Sequence, residues 1–308
     1  MRKLNRVLNS CMKPIVPIVL LACVAVVLPL MAQMAAQAPA PATAPVVSMH
    51  VKYGPPGQAE VLGTTFVDWD ALAVRTTANG QLRVAFDNPT ATLPKLDVHV
   101  TTLNPGMASH PVHDHAWEEM ILVKDGDFDV SINGVKHHAG PGYLVFFASH
   151  DVHNMVNSGS TPATYYVINF VTDKALTVPD MPAAEQAVPG MLPSSVIDCD
   201  SIPSAPTPMG TMRASVIDSP SLTFLQVESH ISTLAVGKST QADIVDPGDE
   251  LFIVKSGTME AHVNSIAARI TAGSFFYCAP NDKRTFRNIG AVPLVYQVFK
   301  AMSDKSPK

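Results

Sequence analysis

The chain has 308 residues, of which 47% are hydrophobic, 15% charged and 6% aromatic; that supports packed cores, excludes a wholly disordered chain and fits two domains. Its 21 basic and 26 acidic residues give a net charge of −5, and because four of the basic ones lie in 1–38 the remainder carries 17 against 26, near −9. With no basic stripe, that balance repels phosphate backbones and excludes nucleic-acid binding.

Residues 1–38 read as an export signal. Arg2, Lys3, Arg6 and Lys13 precede or open an apolar stretch over 15–32, and the small residues Ala35, Ala36 and Ala38 follow. This order of charged, apolar and small segments is that of a secretory signal peptide. An apolar run of about 18 residues can also just span a bilayer, so a retained anchor stays open, although Pro14, Pro17 and Pro29 weaken a helix there. No twin arginine precedes the apolar run, so the general secretory route and a periplasmic or secreted location are expected. Cleavage removes Cys11 and Cys23. Cys199 and Cys278 remain, either as one disulfide or as two buried thiols. Residues 39–80 follow as an N-terminal arm that starts with a Pro/Ala-rich stretch.

From 81 to 178 the chain runs through short β-rich segments at 95–103, 119–123, 128–132, 143–148 and 163–171. Turn formers separate them: Lys124-Asp125-Gly126, Asn133-Gly134 and Asn157-Ser158-Gly159. Asn-Gly between alternating runs is a strong hairpin signal, and many short strands with regular turns predict an all-β barrel or jelly roll. Residues 179–215 read as an extended, surface-hugging linker, since eight prolines fall between 179 and 220. A second domain then occupies 216–303.

That second domain repeats the first. Shifting the chain by 131 residues places His99 on His230, Gly106 on Gly237, Glu119 on Glu250, Gly142 on Gly273, Asn157 on Asn288 and Tyr165 on Tyr296, without a gap. One constant offset that matches glycines and polar residues alike marks an internal duplication.

Seven of the eleven histidines lie between His110 and His153. On an extended strand His113 and His115 share a face with Trp117 and Glu119, whereas Glu118 points the other way as a solvated charge. With His153, this makes a mixed nitrogen and oxygen shell for a divalent first-row metal, with positions left open. His110 and His150 are candidates for the mouth of the site. His137 and His138 are read as surface residues, and His99 as structural because it recurs as His230.

Here the chain resembles the cupin superfamily. Gly106, His113, His115, Glu119 and Gly126 follow the family's first motif with one extra residue after the first glycine. Gly142, Ala148, His150, His153 and Asn157 follow the second, with Ala148 and His150 in place of its proline and second glycine. The resemblance implies two tandem cupin (double-stranded β-helix, jelly-roll) barrels. It carries the metal ligands over to His113, His115, Glu119 and His153, with Glu119 also a candidate catalytic base. It suggests one divalent transition metal: Mn, Fe or Cu, with Ni or Zn also found in such sites.

In the second copy the ligand positions hold Ile244, Asp246, Glu250 and Arg284. A guanidinium has no lone pair to offer, so the second barrel should not hold the same metal. Arg284 is expected either between Asp246 and Glu250 as an ion pair or exposed at a drifted rim. One working and one degenerate site looks like the secreted quercetinase-type dioxygenases. The expected activity is therefore that of a metal-dependent oxidoreductase on a small oxygenated or aromatic substrate, with Trp117, Tyr143, Phe147 and Tyr166 as candidate pocket walls. The alternatives are a non-catalytic metal- or carbohydrate-binding cupin and a Lewis-acid isomerase or lyase. The partner expected is a small-molecule substrate. A homo-oligomer is admitted, and membrane contact only through an uncleaved N-terminal segment.

Overall fold

The computed structural model describes residues 60–186 and 188–308. The export signal with Cys11 and Cys23, and the Pro/Ala stretch behind it, lie outside the described residues. No helix among the described residues is long and apolar enough to cross a membrane.

The first half contains β1 (Thr65–Val67), β2 (Arg75–Thr77), β3 (Gly80–Asn88), β4 (Lys95–Leu103), β5 (Glu119–Asp125), β6 (Phe128–Ile132), β7 (Val135–Ala139), β8 (Tyr143–Phe147), β9 (His153–Asn157) and β10 (Ala163–Val171). The second contains β11 (Ser195–Asp198), β12 (Ala205–Pro206), β13 (Met212–Ser219), β14 (Gln226–Leu234), β15 (Asp249–Ser256), β16 (Thr258–Val263), β17 (Ile266–Thr271), β18 (Phe275–Cys278), β19 (Arg284–Asn288) and β20 (Leu294–Met302). Local chemistry sets the turns. Asn133 and Gly134 both take positive φ, 47° and 80°, which closes the two-residue hairpin between Ile132 and Val135. At Gly126, φ is +82° and a Cβ would lie 2.4 Å from the Cβ of Ala163, so only glycine fits.

The strands form two jelly-roll barrels. In the first, a seven-stranded sheet ordered β11-β8-β5-β10-β4-β3-β2 packs on the three-stranded sheet β7-β6-β9. Leu103, Ile121, Phe128, Val145, Phe147 and Met155 fill the space between them. The second repeats this with β1-β18-β15-β20-β14-β13-β12 over β17-β16-β19, around Leu234, Phe252, Val254, Met259, Phe276 and Phe286.

The two large sheets also pack against each other. Leu96, Val98, Val100, Leu122, Phe146 and Ile168 of one barrel share a single core with Val227, Leu251, Ile253, Phe275, Tyr277 and Phe299 of the other. The central strands of each large sheet are therefore buried on both faces, which is why eight of the nine residues of β10 are buried.

The segments read as an arm and a linker are built into this assembly. β1 pairs with β18 of the second barrel, and β11, from within the proline-rich stretch, pairs with β8 of the first. Each barrel thus takes its edge strand from the segment that precedes the other. None of the prolines falls in the paired residues 195–198, so they leave the β11 ladder intact, and Pro206 sits in the edge strand β12. Hydrogen bonding repeats across the exchange: Thr64 Oγ1 donates to Asp282 Oδ2 at 2.5 Å, and Ser194 Oγ to Asp151 Oδ2 at 2.5 Å.

Glu118 is not a solvated charge. It is 2% exposed, and it accepts hydrogen bonds from Ser221 Oγ (2.5 Å), Leu222 N (3.1 Å) and Thr223 Oγ1 (2.9 Å) of the other barrel. Its counterpart Asp249 accepts in the same way from Thr90 Oγ1 (2.9 Å) and Thr92 Oγ1 of the first barrel, and from Tyr277 OH (2.6 Å). Solvation is not the only outcome open to a carboxylate at the edge of a buried sheet, and here the facing barrel supplies the donors. Replacing Glu118 with Ala strands three donors in the interface and should lower stability by about 2–3 kcal/mol, read from the urea midpoint. An unchanged midpoint would show that the latch contributes nothing.

Candidate metal centre

His113 and His153 face each other in a two-way backbone bridge: His113 N donates to His153 O at 3.2 Å, and His153 N to His113 O at 2.8 Å. The bridge joins the loop before β5 to the start of β9. Glu119 opens β5, where Ile121 and Val123 face the lumen and Met120 and Leu122 face the other barrel. Strand alternation therefore turns Glu119 inward and Glu118 outward. The turn before β9 survives the substitutions in its motif, because His150 takes φ +58° and its counterpart Asn281 takes +67°.

Each imidazole is oriented by a backbone carbonyl. The Nδ1 atoms of His113, His115 and His153 lie 3.2, 2.7 and 2.7 Å from the oxygens of Pro111, Trp117 and Asp151. A carbonyl only accepts, so Nδ1 carries the hydrogen and Nε2 presents its lone pair. One ring nitrogen from each of the three histidines lies within 4.8 Å of the others. Glu119 closes the group: its Oε2 is 3.8 Å from His115 Nε2 and its Oε1 is 4.0 Å from His153 Nε2. The Nε2 atoms of His115 and His153 are buried without a hydrogen-bond partner. Two orphaned lone pairs beside a carboxylate are costly unless a cation satisfies them, so the donor set fits a divalent metal. Ring stacking fixes the geometry further, Phe147 lying 4.0 Å from His153 and Trp117 lying 4.3 Å from His115.

Burial controls the protonation states. Desolvation brings the His115 imidazole down to about 4 and that of His153 down to about 3, so both are neutral donors at neutral pH. Desolvation also pushes the Glu119 carboxyl up to about 7.

The site opens into a cavity of about 400 Å³. His110 lines its mouth, with its ring 4.1 Å from that of His113. His150 instead faces Asp114 at 2.9 Å and Asp180 at 3.4 Å, and does not line the cavity. His137 and His138 are exposed. Of the candidate walls, Phe147 lines the cavity, and Trp117 backs His115 while 37% exposed. Tyr143 does not line it. Tyr166 belongs to the core between the barrels, where its hydroxyl donates to Gly273 O at 2.9 Å, and its neighbour Tyr165 is the one that lines the cavity. Parity explains the exchange, because adjacent residues of β10 face opposite sides. Sequence reasoning also missed His99, which lines the cavity and carries Asp97 beside it. The alternation of Asp97, His99 and Thr101 with Leu96, Val98 and Val100 was its visible signal.

In the second barrel Arg284 Nη2 meets Glu250 Oε2 at 2.5 Å, with both side chains about 95% buried. Burial pushes Glu250 up and the guanidinium pulls it down; direct contact with a permanent cation keeps this pair ionised. Asp246 does not join it, but pairs with Lys300 at 3.2 Å. Both remaining cysteines are free and buried.

Both halves of the chain match the cupin domain family, over residues 99–169 and 230–299. No curated protein matches the chain by sequence. Among solved structures, AerE from Microcystis aeruginosa is 12% identical with a TM-score of 0.59, over 77% of this chain and 99% of the other. An oxalate decarboxylase variant from Bacillus subtilis is 15% identical with a TM-score of 0.57, over 82% and 81%. A salicylate 1,2-dioxygenase variant from Pseudoaminobacter salicylatoxidans is 14% identical with a TM-score of 0.54, over 68% and 70%. At these identities the likeness is one of fold.

Two outcomes test the two barrels. Calorimetry should show about one divalent ion bound per chain, and none in His113→Ala or His153→Ala. Because Glu119 is protonated below about 7, binding at pH 6 should release about one proton and weaken as pH falls, whereas binding at pH 8 should release almost none. In the second barrel, Arg284→Ala leaves a buried carboxylate unpaired and should cost about 3–5 kcal/mol of stability by chemical denaturation. An unaffected melting curve would remove the ion pair from the account.

Proposed function

The chain belongs to the cupin superfamily as a bicupin, with two cupin domains in tandem, and on that footing we propose that it is an exported, metal-dependent oxidoreductase. The reading is of a quercetinase-like dioxygenase that acts on a small oxygenated or aromatic substrate in its first barrel. The observation that carries it is the pair of buried, unpartnered Nε2 atoms beside Glu119 at one end of a roomy cavity.

His113, His115, Glu119 and His153 would hold the ion. When bound, Mn, Fe or Cu would supply a Lewis-acid centre for a chelating substrate and redox capacity toward dioxygen. The chain's residues do the remaining work. The carbonyls of Pro111, Trp117 and Asp151 hold the three imidazoles in one tautomer, so their donor atoms are pre-aligned. Glu119 supplies the carboxylate of the donor set between His115 and His153, and serves as a base only when it swings off the ion. Leu82, Leu103, Ile121 and Val167 keep the walls apolar, and Phe147 and Tyr165 offer flat faces to a planar substrate. The shared fold of a salicylate 1,2-dioxygenase is compatible with a ligand of this size and shape. An exported chain folds away from cytosolic metal buffering, and intrinsic affinity there favours Cu.

The chain loaded in turn with Mn, Fe and Cu should consume oxygen when given flavonols or catechols, and His113→Ala should abolish the uptake. Turnover without oxygen would point to a Lewis-acid isomerase or lyase. Binding without turnover under every loading would leave a non-catalytic ligand-binding cupin.

A further inference from the structure

The cavity of the first barrel contains a second chemical arrangement, on β4. His99 Nδ1 lies 3.0 Å from Asp97 Oδ1, and Asn169 Nδ2 donates to Asp97 Oδ2 at 3.2 Å across the β4–β10 pair. An ionised carboxylate only accepts, so Nδ1 carries the hydrogen and Nε2 is the basic atom of a ring that lines the cavity with His113, His153 and Glu119. Burial, the largest single influence, would raise the Asp97 carboxyl, but the hydrogen bond and charge of His99, the hydrogen bond from Asn169 and the charge of Lys95 together hold the acid below its ordinary value. Asp97 is thus an anion positioned to stabilise an imidazolium.

The second barrel supplies an internal control. His230 Nδ1 lies 2.8 Å from Glu228 Oε1, so the dyad itself is retained. There, however, Glu228 is also bound by Lys300 Nζ at 2.7 Å and by Arg213. The offset of the duplication puts Lys300 on Asn169 and Arg213 on Leu82. The carboxylate beside His230 is therefore paired with two cations, whereas the one beside His99 is hydrogen-bonded by a neutral amide and meets Lys95 only through its charge. Lys95, on the same strand as Asp97, pairs with Asp87 at 2.9 Å instead. The other charged or titratable residues lining the first cavity are Arg75, His110, His113, Glu119, His153 and Tyr165. The dyad is free of clamping cations only in the barrel that carries the histidine cluster.

We propose that Asp97 and His99 form the proton acceptor of the first barrel: His99 Nε2 takes the hydroxyl proton of an oxygenated substrate, and Asp97 holds the resulting imidazolium. The substrate O–H bond breaks, its electron pair stays on the substrate oxygen, and the proton rests on Nε2, so charge and atoms balance. This role rests on the oxygenated-substrate reading above. It separates two tasks, leaving Glu119 to the ion and deprotonation to His99.

The test uses 4-nitrocatechol, whose absorption moves to longer wavelength when it ionises, titrated into the metal-loaded full chain between pH 5 and 8. The wild type should bind the probe in its ionised form. His99→Gln keeps a neutral polar side chain that cannot accept the proton. It should bind metal at wild-type stoichiometry, with the ionisation of the bound probe displaced upward by about one pH unit, a tenfold change. Asp97→Asn keeps the imidazole without its anion and should move the same way. His230→Gln, in the clamped dyad, should leave the spectrum at its wild-type position. If His99→Gln and Asp97→Asn both ionise the probe as the wild type does, the dyad has no such role while the substrate reading stands. A loaded wild type that does not bind the probe at all would overturn both.

Discussion

The central strands of each seven-stranded sheet are buried on both faces, and the remaining architecture follows from that constraint. One face closes on a three-stranded sheet to make a lumen, and the other closes on the neighbouring barrel around a shared apolar core. Strand alternation then divides every central strand into two sets of side chains with different fates. On β5, Glu119 and Ile121 enter the lumen while Glu118, Met120 and Leu122 enter the interface; on β4 the sets are Asp97 and His99 against Leu96 and Val98. A residue's chemistry is decided by its parity before any other contact is made. The exchanged edge strands and the two acidic latches hold the barrels in the register that keeps this division.

The duplication has preserved that frame while the contents of the two lumens diverged. Both barrels keep a glutamate at the start of the equivalent strand, a His–carboxylate dyad and a cavity of similar size, about 400 Å³ in one and 360 Å³ in the other. In the first, the lumen leaves lone pairs unsatisfied, on His115 and His153. In the second, Arg284, Lys300 and Arg213 meet Glu250, Asp246 and Glu228. Orphaned donors converge only where they can be satisfied by something outside the chain, and the second lumen satisfies itself. A buried ion pair of that kind is weak evidence for added stability. Its clear effect is to block the position that an imidazole occupies in the first barrel.

Much of this was legible in the chain itself. The offset of 131 residues, the Asn-Gly hairpin and the spacing of His113, His115, Glu119 and His153 report local geometry and repetition, both of which survive in one dimension. So does the replacement of His153 by Arg284, because the guanidinium's chemistry is the same in any surroundings. The β class, the two barrels and the candidate ligand set are therefore readable along the chain. The fate of Glu118, the side of Tyr166, the exchange of β1 and β11 between barrels, and the setting of Asp97 and His99 emerge only on folding. Each depends on what lies across an interface far away in sequence or on the far side of a sheet. Alternation along a strand states that neighbours part company, but not which face meets water, which meets a lumen and which meets another barrel. That assignment is made when two sheets bury their backs together, because burial is a property of the assembled surfaces and not of any one strand.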